Sequence, residues 1–216
     1  MRRIIMLSGK KQAGKDSTAD FIVKQGKVTG RFTAAKTSFA DSLKQFCINA
    51  LGLTHAQCYG TDADKNTYTQ WDWEGLGSLF KFNCCYKDTD EYSVASTPTG
   101  PLTARQVMQF VGTIMRDNFN KDVWVIGGIN AAKASPTDYP IMVDARYPNE
   151  VEASRKAGAL LIRIVRQNSP VSADSHVSEV ALDHYTKEQF DYWIEAANLS
   201  QLYEKVSYIL HRENIL

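Results

Sequence analysis

Two glycines five residues apart, with a lysine directly after the second, have the types and spacing of a loop that binds phosphate groups. They lie in GKKQAGKDST, residues 9–18, which fits the pattern G-x4-G-K-[ST] except at its last position, where Asp16 stands. Glycines let successive backbone N–H groups point at phosphate oxygens, and the lysine adds a mobile positive charge. The short apolar run Ile4–Leu7 precedes the loop and a helix-like pattern follows it. This order predicts the strand, loop and helix that the motif requires.

Within this loop, Lys15 would contact the β- and γ-phosphates of a nucleotide, and Ser17 or Thr18 could supply a hydroxyl to Mg²⁺ or to phosphate. The role of Asp16 stays open, because a carboxylate repels phosphates unless it faces the metal or caps the helix. A surface turn with chance glycines and lysines is the alternative. The predicted strand and helix on either side of the loop argue against that alternative.

Composition places the chain among globular proteins. It has 216 residues, 44% of them hydrophobic and 23% charged, which is ample for one domain or for one core with inserted segments. The net charge of +1 provides no general basic field, so direct nucleic-acid binding is not expected. The four cysteines form no C-x-x-C pair, which suits reduced thiols, and no segment approaches the roughly 20 apolar residues of a membrane span. We therefore expect a soluble, cytoplasmic protein without a membrane partner.

Strand-like and helix-like segments alternate along the chain, which predicts an α/β fold with a parallel sheet. The predicted strands are 4–7, 32–39, 141–143, 160–165 and 192–195, and the predicted helices are 17–25, 43–51, 103–115, 124–134, 150–157 and 199–210. Residues from about 54 to 100 lack clean periodicity and hold several aromatics. We interpret them as a region inserted into a single domain, 1–216, with a disordered linker as the alternative.

Several charged residues follow predicted strands or begin predicted helices. Asp144 ends an apolar strand, where the ligand sites of parallel sheets lie, and a carboxylate there can hold Mg²⁺; a helix cap is the alternative. Phosphoryl transfer also requires guanidinium groups that follow the moving charge. The candidate arginines are Arg105, Arg116, Arg146, Arg163 and Arg166. We expect two or three of them to be functional, and Arg163 least, because it lies within a strand.

Two further features have a functional and a structural interpretation. His176 and Glu179 fall in a polar loop, about 167–180, which could close over phosphates as a lid or could be a salt-bridged surface turn. Trp124 begins a predicted helix and could stack on a base or belong to the core.

Several of these blocks occur in the same order in one family. They are GKKQAGKDSTADF (9–21), LTHAQCYGTDADK (53–65), TARQVMQFVG (103–112) with DVWV (122–125), VDARYPNEVE (143–152) and ADSHVSEVAL (173–182). Together they resemble the deoxynucleoside monophosphate kinases of tailed bacteriophages, within the adenylate-kinase-like phosphate-loop kinases. The resemblance implies a three-layer α/β/α phosphate-loop NTPase fold with a central, mostly parallel sheet, an inserted acceptor-side region and a short lid.

The resemblance also implies an activity, transfer of the ATP γ-phosphoryl group to a deoxynucleoside monophosphate with Mg²⁺, in the cytoplasm of the host cell if the chain is phage-encoded. The implied ATP site is Gly9, Ala13, Gly14, Lys15, Asp16, Ser17, Thr18 and Arg166. The implied acceptor site is Lys11, Arg105, Gln109, Gly112, Trp124, Arg146, Glu150, His176 and Glu179. Lys15, Arg116, Asp144 and Arg146 would be catalytic, with Ser17 and Asp144 at the metal. A kinase for another small phosphorylated acceptor and a non-catalytic nucleotide-binding module are the alternatives, and exposed aromatics make a homodimer plausible.

Overall fold

The computed structural model of the chain describes residues 3–76, 99–167 and 180–216. The chain divides into two compact units, Met1–Phe39 with Val125–Leu216 and, between them in sequence, Ala40–Trp124. We call the first the core unit and the second the inserted unit. The inserted unit extends beyond residues 54–100 at both ends.

The described helices and strands alternate along most of the core unit and cluster as short elements in the inserted unit. In chain order they are β1 (Ile5–Ser8), α1 (Lys15–Thr29), β2 (Ala34–Thr37), α2 (Ala40–Leu51), α3 (His55–Tyr59), α4 (Asp62–Lys65), β3 (Tyr68–Asp72), β4 (Pro101–Thr103), α5 (Ala104–Asn118), α6 (Val123–Ala134), β5 (Tyr139–Ala145), α7 (Pro148–Lys156), β6 (Leu160–Arg166), β7 (Tyr192–Ala196) and α8 (Leu199–Arg212). Short 3-10 turns cover Glu74–Leu76 and Lys187–Gln189.

The core unit is built on a five-stranded sheet in the order β2-β5-β1-β6-β7, and every pairing in it is parallel. Strand β1 is central, with Ile5 paired to Ile141 on one side and to Leu160 on the other. All four residues of β1 are buried, as expected for a strand covered on both faces. The predicted parallel α/β sheet is therefore confirmed.

Apolar side chains fill both faces of this sheet. One buried cluster joins it to α1 and α8 and includes Ile22, Ile162 and Val206. A second cluster lies against α6 and α7 and includes Ile129 and Val151. Helices thus cover both faces, which gives the three-layer α/β/α arrangement expected from the sequence.

The inserted unit has its own small core of Cys47, Leu53, Cys58, Trp73 and Leu102, beneath helices and an antiparallel β3–β4 pair. Burial raises the pKa of the Cys47 thiol to about 11, so this cysteine is a packing residue and not a nucleophile.

Residues 55–65, where the sequence pattern showed little periodicity, form two short helices. Capping boxes explain where these helices begin. The side chains of Thr54 and Thr61 each accept a hydrogen bond from the backbone N–H three residues later, and the side chain of that later residue accepts one from the backbone N–H of the threonine. The same device begins α5 at Thr103, where the sequence predicts the start of a helix.

Other segments differ from expectation only in their ends. Helix α1 begins two residues earlier than predicted, at Lys15, and Gly30 ends it in a left-handed conformation. Strand β2 is shorter than the predicted 32–39. Within the described residues, no helix is long and apolar enough to cross a membrane. Most of the predicted lid, with His176 and Glu179, lies outside the described residues, as do Cys84 and Cys85.

Candidate functional site

The loop between β1 and α1 has the backbone shape of a phosphate cradle. Gln12 and Gly14 adopt left-handed conformations, with φ of 61° and 105°. A Cβ atom at Gly9 would lie 2.6 Å from the carbonyl oxygen of Ile164, and one at Gly14 would lie 2.8 Å from a methyl of Leu202. Glycine is therefore required at Gly9 by close packing against backbone and at Gly14 by the backbone angle.

Lys15 is held inside this loop, with 7% of its surface exposed. Its Nζ donates hydrogen bonds to the carbonyl oxygens of Gly9, at 2.6 Å, and Lys10, at 2.9 Å. The ammonium group is thus placed where the N–H groups of the first turn of α1 also concentrate positive potential. This combination favours a bound anion, and phosphate is the anion such loops hold.

A polar chain ties three strands together beneath the loop. Arg163 on β6 donates from Nη1 to the hydroxyl of Ser8, at 2.8 Å, and Ser8 donates to the carbonyl oxygen of Ala145, at 3.1 Å. Arg163 is 7% exposed, and its guanidinium lies 5.9 Å from the ring centre of Phe190. These contacts give Arg163 a structural role, which agrees with its low rank among the candidate arginines.

Asp144 lies at the end of β5, beside the start of the loop. Its Oδ1 accepts the backbone N–H of Phe39 at 3.0 Å, and Ala145 next to it pairs with Ser8 of β1. The carboxylate is partly exposed at this sheet edge. Asp144 is therefore where a metal-binding carboxylate of this kind of fold is expected.

Glu150 closes the turn that follows Asp144. Its Oε2 accepts the backbone N–H groups of Arg146, at 2.6 Å, and Tyr147, at 2.9 Å. Burial raises the pKa of Glu150 to about 7, with the nearby charge of Asp144 adding to the rise and the two N–H groups opposing it. In the segment DARYPNE, residues 144–150, Glu150 thus holds the backbone of the turn that follows Asp144 and carries Arg146.

A cavity of about 290 Å³ opens beside the phosphate loop. Its walls come from the loop, from the end of β6 and from the turn between β7 and α8. The lining residues are Gln12, Ala13, Gly14, Ser17, Arg166, Ala196, Ala197, Asn198, Leu199 and Leu202. The volume suits a small ligand such as a nucleoside.

The β7–α8 wall of this cavity was missed from the sequence. Its signal is weak: a short strand, two alanines, and Asn198, whose Oδ1 caps α8 by accepting the N–H of Gln201 at 3.0 Å. Of the predicted hydroxyls, Ser17 lines the cavity, whereas Thr18 is fully buried, and its Oγ1 has no hydrogen-bond partner among the described residues. Lys11 is exposed in the loop, beside Lys10, which is paired with Asp183 at 2.9 Å.

Two predicted acceptor residues of the inserted unit, Arg105 and Trp124, have hydrogen-bond partners within that unit. Arg105 donates from Nη2 to Asp62, at 2.7 Å, and from Nε to Asn66, at 3.1 Å. Trp124 is half-buried and donates from Nε1 to the carbonyl oxygen of Gly112, at 3.0 Å.

Two further predicted residues of this unit lie on the surface of α5. Gln109 and Arg116 are both exposed, and Arg116 donates to the hydroxyl of Thr113 at 3.3 Å. Both side chains are exposed, so the predicted role of Gln109 rests on the family resemblance and that of Arg116 rests on the need of phosphoryl transfer for guanidinium groups.

The oxygen donors near the loop fit a Mg²⁺ ion that is bound together with a nucleotide. Among the residues that the structure describes, no group of three or more His, Cys, Asp or Glu side chains could hold a metal unaided. Mg²⁺ in kinases instead uses one or two protein oxygens, the phosphate oxygens and waters. Asp16, Ser17 and Asp144 offer such oxygens.

A parallel sheet with a phosphate loop after its central strand, and a carboxylate at the end of the neighbouring strand, defines the class of phosphate-loop NTPases. The family model for deoxynucleotide monophosphate kinase matches residues 3–206. The chain therefore belongs to the deoxynucleotide monophosphate kinase family.

Two viral relatives agree with this assignment. The deoxynucleotide monophosphate kinase of Enterobacteria phage T4 is 27% identical, over 83% of this chain and 88% of that protein. That of Escherichia phage RB69 is 25% identical, over 96% of this chain and 99% of that protein. The predicted family and enzyme class are thus confirmed.

Proposed function

We propose that this enzyme transfers the γ-phosphoryl group of ATP to a deoxynucleoside monophosphate, producing ADP and a deoxynucleoside diphosphate. The observation that carries the proposal is the 290 Å³ cavity beside the phosphate loop, because it continues the phosphate cradle into a space for a nucleoside. The family to which the chain belongs supports the same activity.

The donor nucleotide would lie along the loop with its base and sugar in the cavity. Lys15 would exchange its hydrogen bonds to the carbonyl oxygens of Gly9 and Lys10 for contacts with β- and γ-phosphate oxygens. Arg166 and Ser17 line the cavity and would contact the nucleoside end. The apolar walls from Ala197 and Leu202 favour a stacked base over one read by many hydrogen bonds.

In the transfer step, an oxygen of the acceptor phosphate forms a bond to the γ-phosphorus. The bond from that phosphorus to the β–γ bridging oxygen breaks, and ADP leaves with the electron pair. Lys15, Arg116 and Arg146 would neutralise the charge on the moving group, and bound Mg²⁺ would supply further neutralisation of the phosphate oxygens. The protein's part is positioning and electrostatic stabilisation, without a covalent intermediate.

The acceptor monophosphate would contact the residues that the family resemblance implies. These are Lys11, Arg105, Gln109, Gly112, Trp124, Arg146 and Glu150. His176 and Glu179 complete the proposed set. For Glu150 the role is indirect, because its carboxylate is engaged by the N–H groups of Arg146 and Tyr147.

The test is coupled ADP release from Mg²⁺ and ATP with each deoxynucleoside monophosphate in turn, and with none. We expect turnover only when certain monophosphates are present, and these would identify the substrates. Equal ADP release without any acceptor would contradict the proposal and would indicate a simple ATPase. ATP binding without turnover would indicate a nucleotide-binding module.

A further inference from the structure

We propose that one peptide unit, formed by the carbonyl of Ala145 and the N–H of Arg146, is clamped from both ends, and that this clamp aims the Arg146 side chain for phosphoryl transfer. Ser8 and Arg163 are the positioning residues at the carbonyl end, and Glu150 is the positioning residue at the N–H end. The inference rests on the proposed function, in which Arg146 neutralises charge on the moving group.

The clamped peptide follows an irregularity in the pairing of β1 with β5. On β1 the pairing advances by two residues, from Met6 to Ser8. On β5 it advances by three over the same step, from Met142 to Ala145. This count is that of a β-bulge, which interrupts the backbone ladder, redirects the side chains that follow and is common next to active sites. The peptide after the bulge therefore depends on other bonds for its direction.

The carbonyl end of the peptide is held by the hydroxyl of Ser8. Ser8 is fully buried, and its Oγ donates to the carbonyl oxygen of Ala145 at 3.1 Å. The same Oγ accepts a hydrogen bond from Nη1 of Arg163 at 2.8 Å. A guanidinium group has donors only, so its bond uses the oxygen of the hydroxyl and leaves the hydroxyl proton for the carbonyl. Arg163 therefore sets the direction in which Ser8 donates.

The N–H end of the same peptide is held by Glu150. Its Oε2 accepts the N–H of Arg146 at 2.6 Å. Because a peptide unit is planar, bonds to its carbonyl and to its N–H together fix its rotation about the chain. That rotation sets ψ of Ala145 and φ of Arg146, and with them the direction in which the arginine side chain leaves the backbone.

Positioning of this kind should affect transfer more than ATP binding. A misplacement of about 1 Å in a reacting geometry can lower the rate by about 100-fold. The phosphate cradle does not depend on the clamp, since its glycines and the two carbonyl bonds of Lys15 lie within the loop itself. Loss of the Ser8 hydroxyl should therefore lower kcat and leave the KM for ATP nearly unchanged.

Double-mutant kinetics tests whether Ser8 acts through Arg146. We expect Ser8→Ala to lower kcat about tenfold, and Arg163→Met to act in the same direction. In the Arg146→Ala background, Ser8→Ala should have no further effect on kcat, because the side chain that it positions is absent. Ser154→Ala is the matched control, since Ser154 is also fully buried and its hydroxyl has no hydrogen-bond partner among the described residues.

Amide hydrogen exchange measures the clamp without any turnover. The N–H of Arg146 should exchange about tenfold faster in Ser8→Ala than in the wild type. The N–H of Leu160, which donates to the carbonyl oxygen of Ile4 at 2.8 Å, is the internal control and should not change.

Two results would overturn the inference. In one, the effects of Ser8→Ala and Arg146→Ala on kcat multiply, as they do for residues that act independently. In the other, exchange at Arg146 is the same in Ser8→Ala as in the wild type. Failure of the proposed function is seen separately, as a wild-type enzyme that releases no ADP with any deoxynucleoside monophosphate.

Discussion

The ammonium group of Lys15 lies 2.6 Å from the carbonyl oxygen of Gly9, so that the lysine of the phosphate loop is tied back to its first glycine. With the second bond, to Lys10 at 2.9 Å, the charge is held inside the loop and 7% of the residue is exposed. The group is therefore positioned before any phosphate arrives. We expect the ammonium group to exchange these carbonyl oxygens for phosphate oxygens when a nucleotide binds.

Replacing this lysine should remove catalysis while the fold persists. We expect Lys15→Ala to lower kcat by about 100-fold or more, since a positioned charge on the transferred group is typically worth that much. ADP release measures the effect, and thermal unfolding tests the fold. Lys15→Arg is the matched control, because it keeps the positive charge but changes the shape of the group that carries it. Near-normal turnover in the alanine variant would contradict the role of Lys15.

Filling the cavity should weaken the donor nucleotide selectively. Ala197 is exposed and lines the cavity, so Ala197→Phe would fill part of the space in which we propose that the nucleoside lies. We expect the KM for ATP to rise about tenfold or more, with little change in the KM for the acceptor. Ala131→Phe, on the exposed surface of α6, is the matched control. An equal rise in both KM values would argue against a donor site in this cavity.

Replacing the two members of the Arg105–Asp62 ion pair should have different effects on the KM for the acceptor. The pair is on the surface, with 41% and 87% of the side chains exposed, so breaking it should cost at most about 1 kcal/mol of the free energy of unfolding. An acceptor phosphate can therefore replace Asp62. We expect Arg105→Ala to raise the acceptor KM about tenfold, as loss of a charged hydrogen-bond partner does.

For the other member, Asp62→Ala should leave the acceptor KM unchanged or lower, because it releases the guanidinium. Steady-state kinetics with varied acceptor measures both variants. If the two variants raise the KM equally, Arg105 acts by supporting α4 and not by binding substrate.

Glu150 should make stability depend on pH in the neutral range. Its pKa is raised from an ordinary 4.5 to about 7, so between these values the folded state binds more protons than the unfolded state. The free energy of unfolding should therefore fall as the pH rises from about 4.5 to about 7, by up to a few kcal/mol. Urea unfolding at pH 5 and pH 8 measures this contribution.

Glu150→Gln is the matched variant, because its amide oxygen can still accept the N–H groups of Arg146 and Tyr147 without titrating. It should lose this part of the pH dependence. An identical slope in the wild type and the variant would show that Glu150 stays ionised throughout the range.

Local motifs carried most of what could be predicted from the sequence. The glycines of the loop, the apolar strand of Ile4–Leu7 and the cap at Thr103 each act within a few residues, so their pattern is visible in the chain itself. The same locality explains why Asp144 could be predicted, since it lies near the end of β5, directly after an apolar run of that strand.

Features that depend on distant contacts could not be predicted. Ala197 and Asn198 line the cavity only because parallel pairing places β7 beside β6. The engagement of Arg105 by Asp62, 43 residues away, likewise has no local signal. The partners of Phe21 and Asp20 on α1, which are Tyr203 and Lys36, likewise lie outside the helix and have no local signal.

Phe39, the last residue of the core unit before the inserted unit, packs against Gly128, which follows the return of the chain by a few residues. A Cβ atom at Gly128 would lie 2.9 Å from the ring of Phe39 and 3.0 Å from its Cα. The point where the chain leaves the core unit thus lies next to the point where it re-enters that unit. The 85 residues between them could therefore be lengthened, shortened or exchanged without a change in the five-stranded sheet of the core unit.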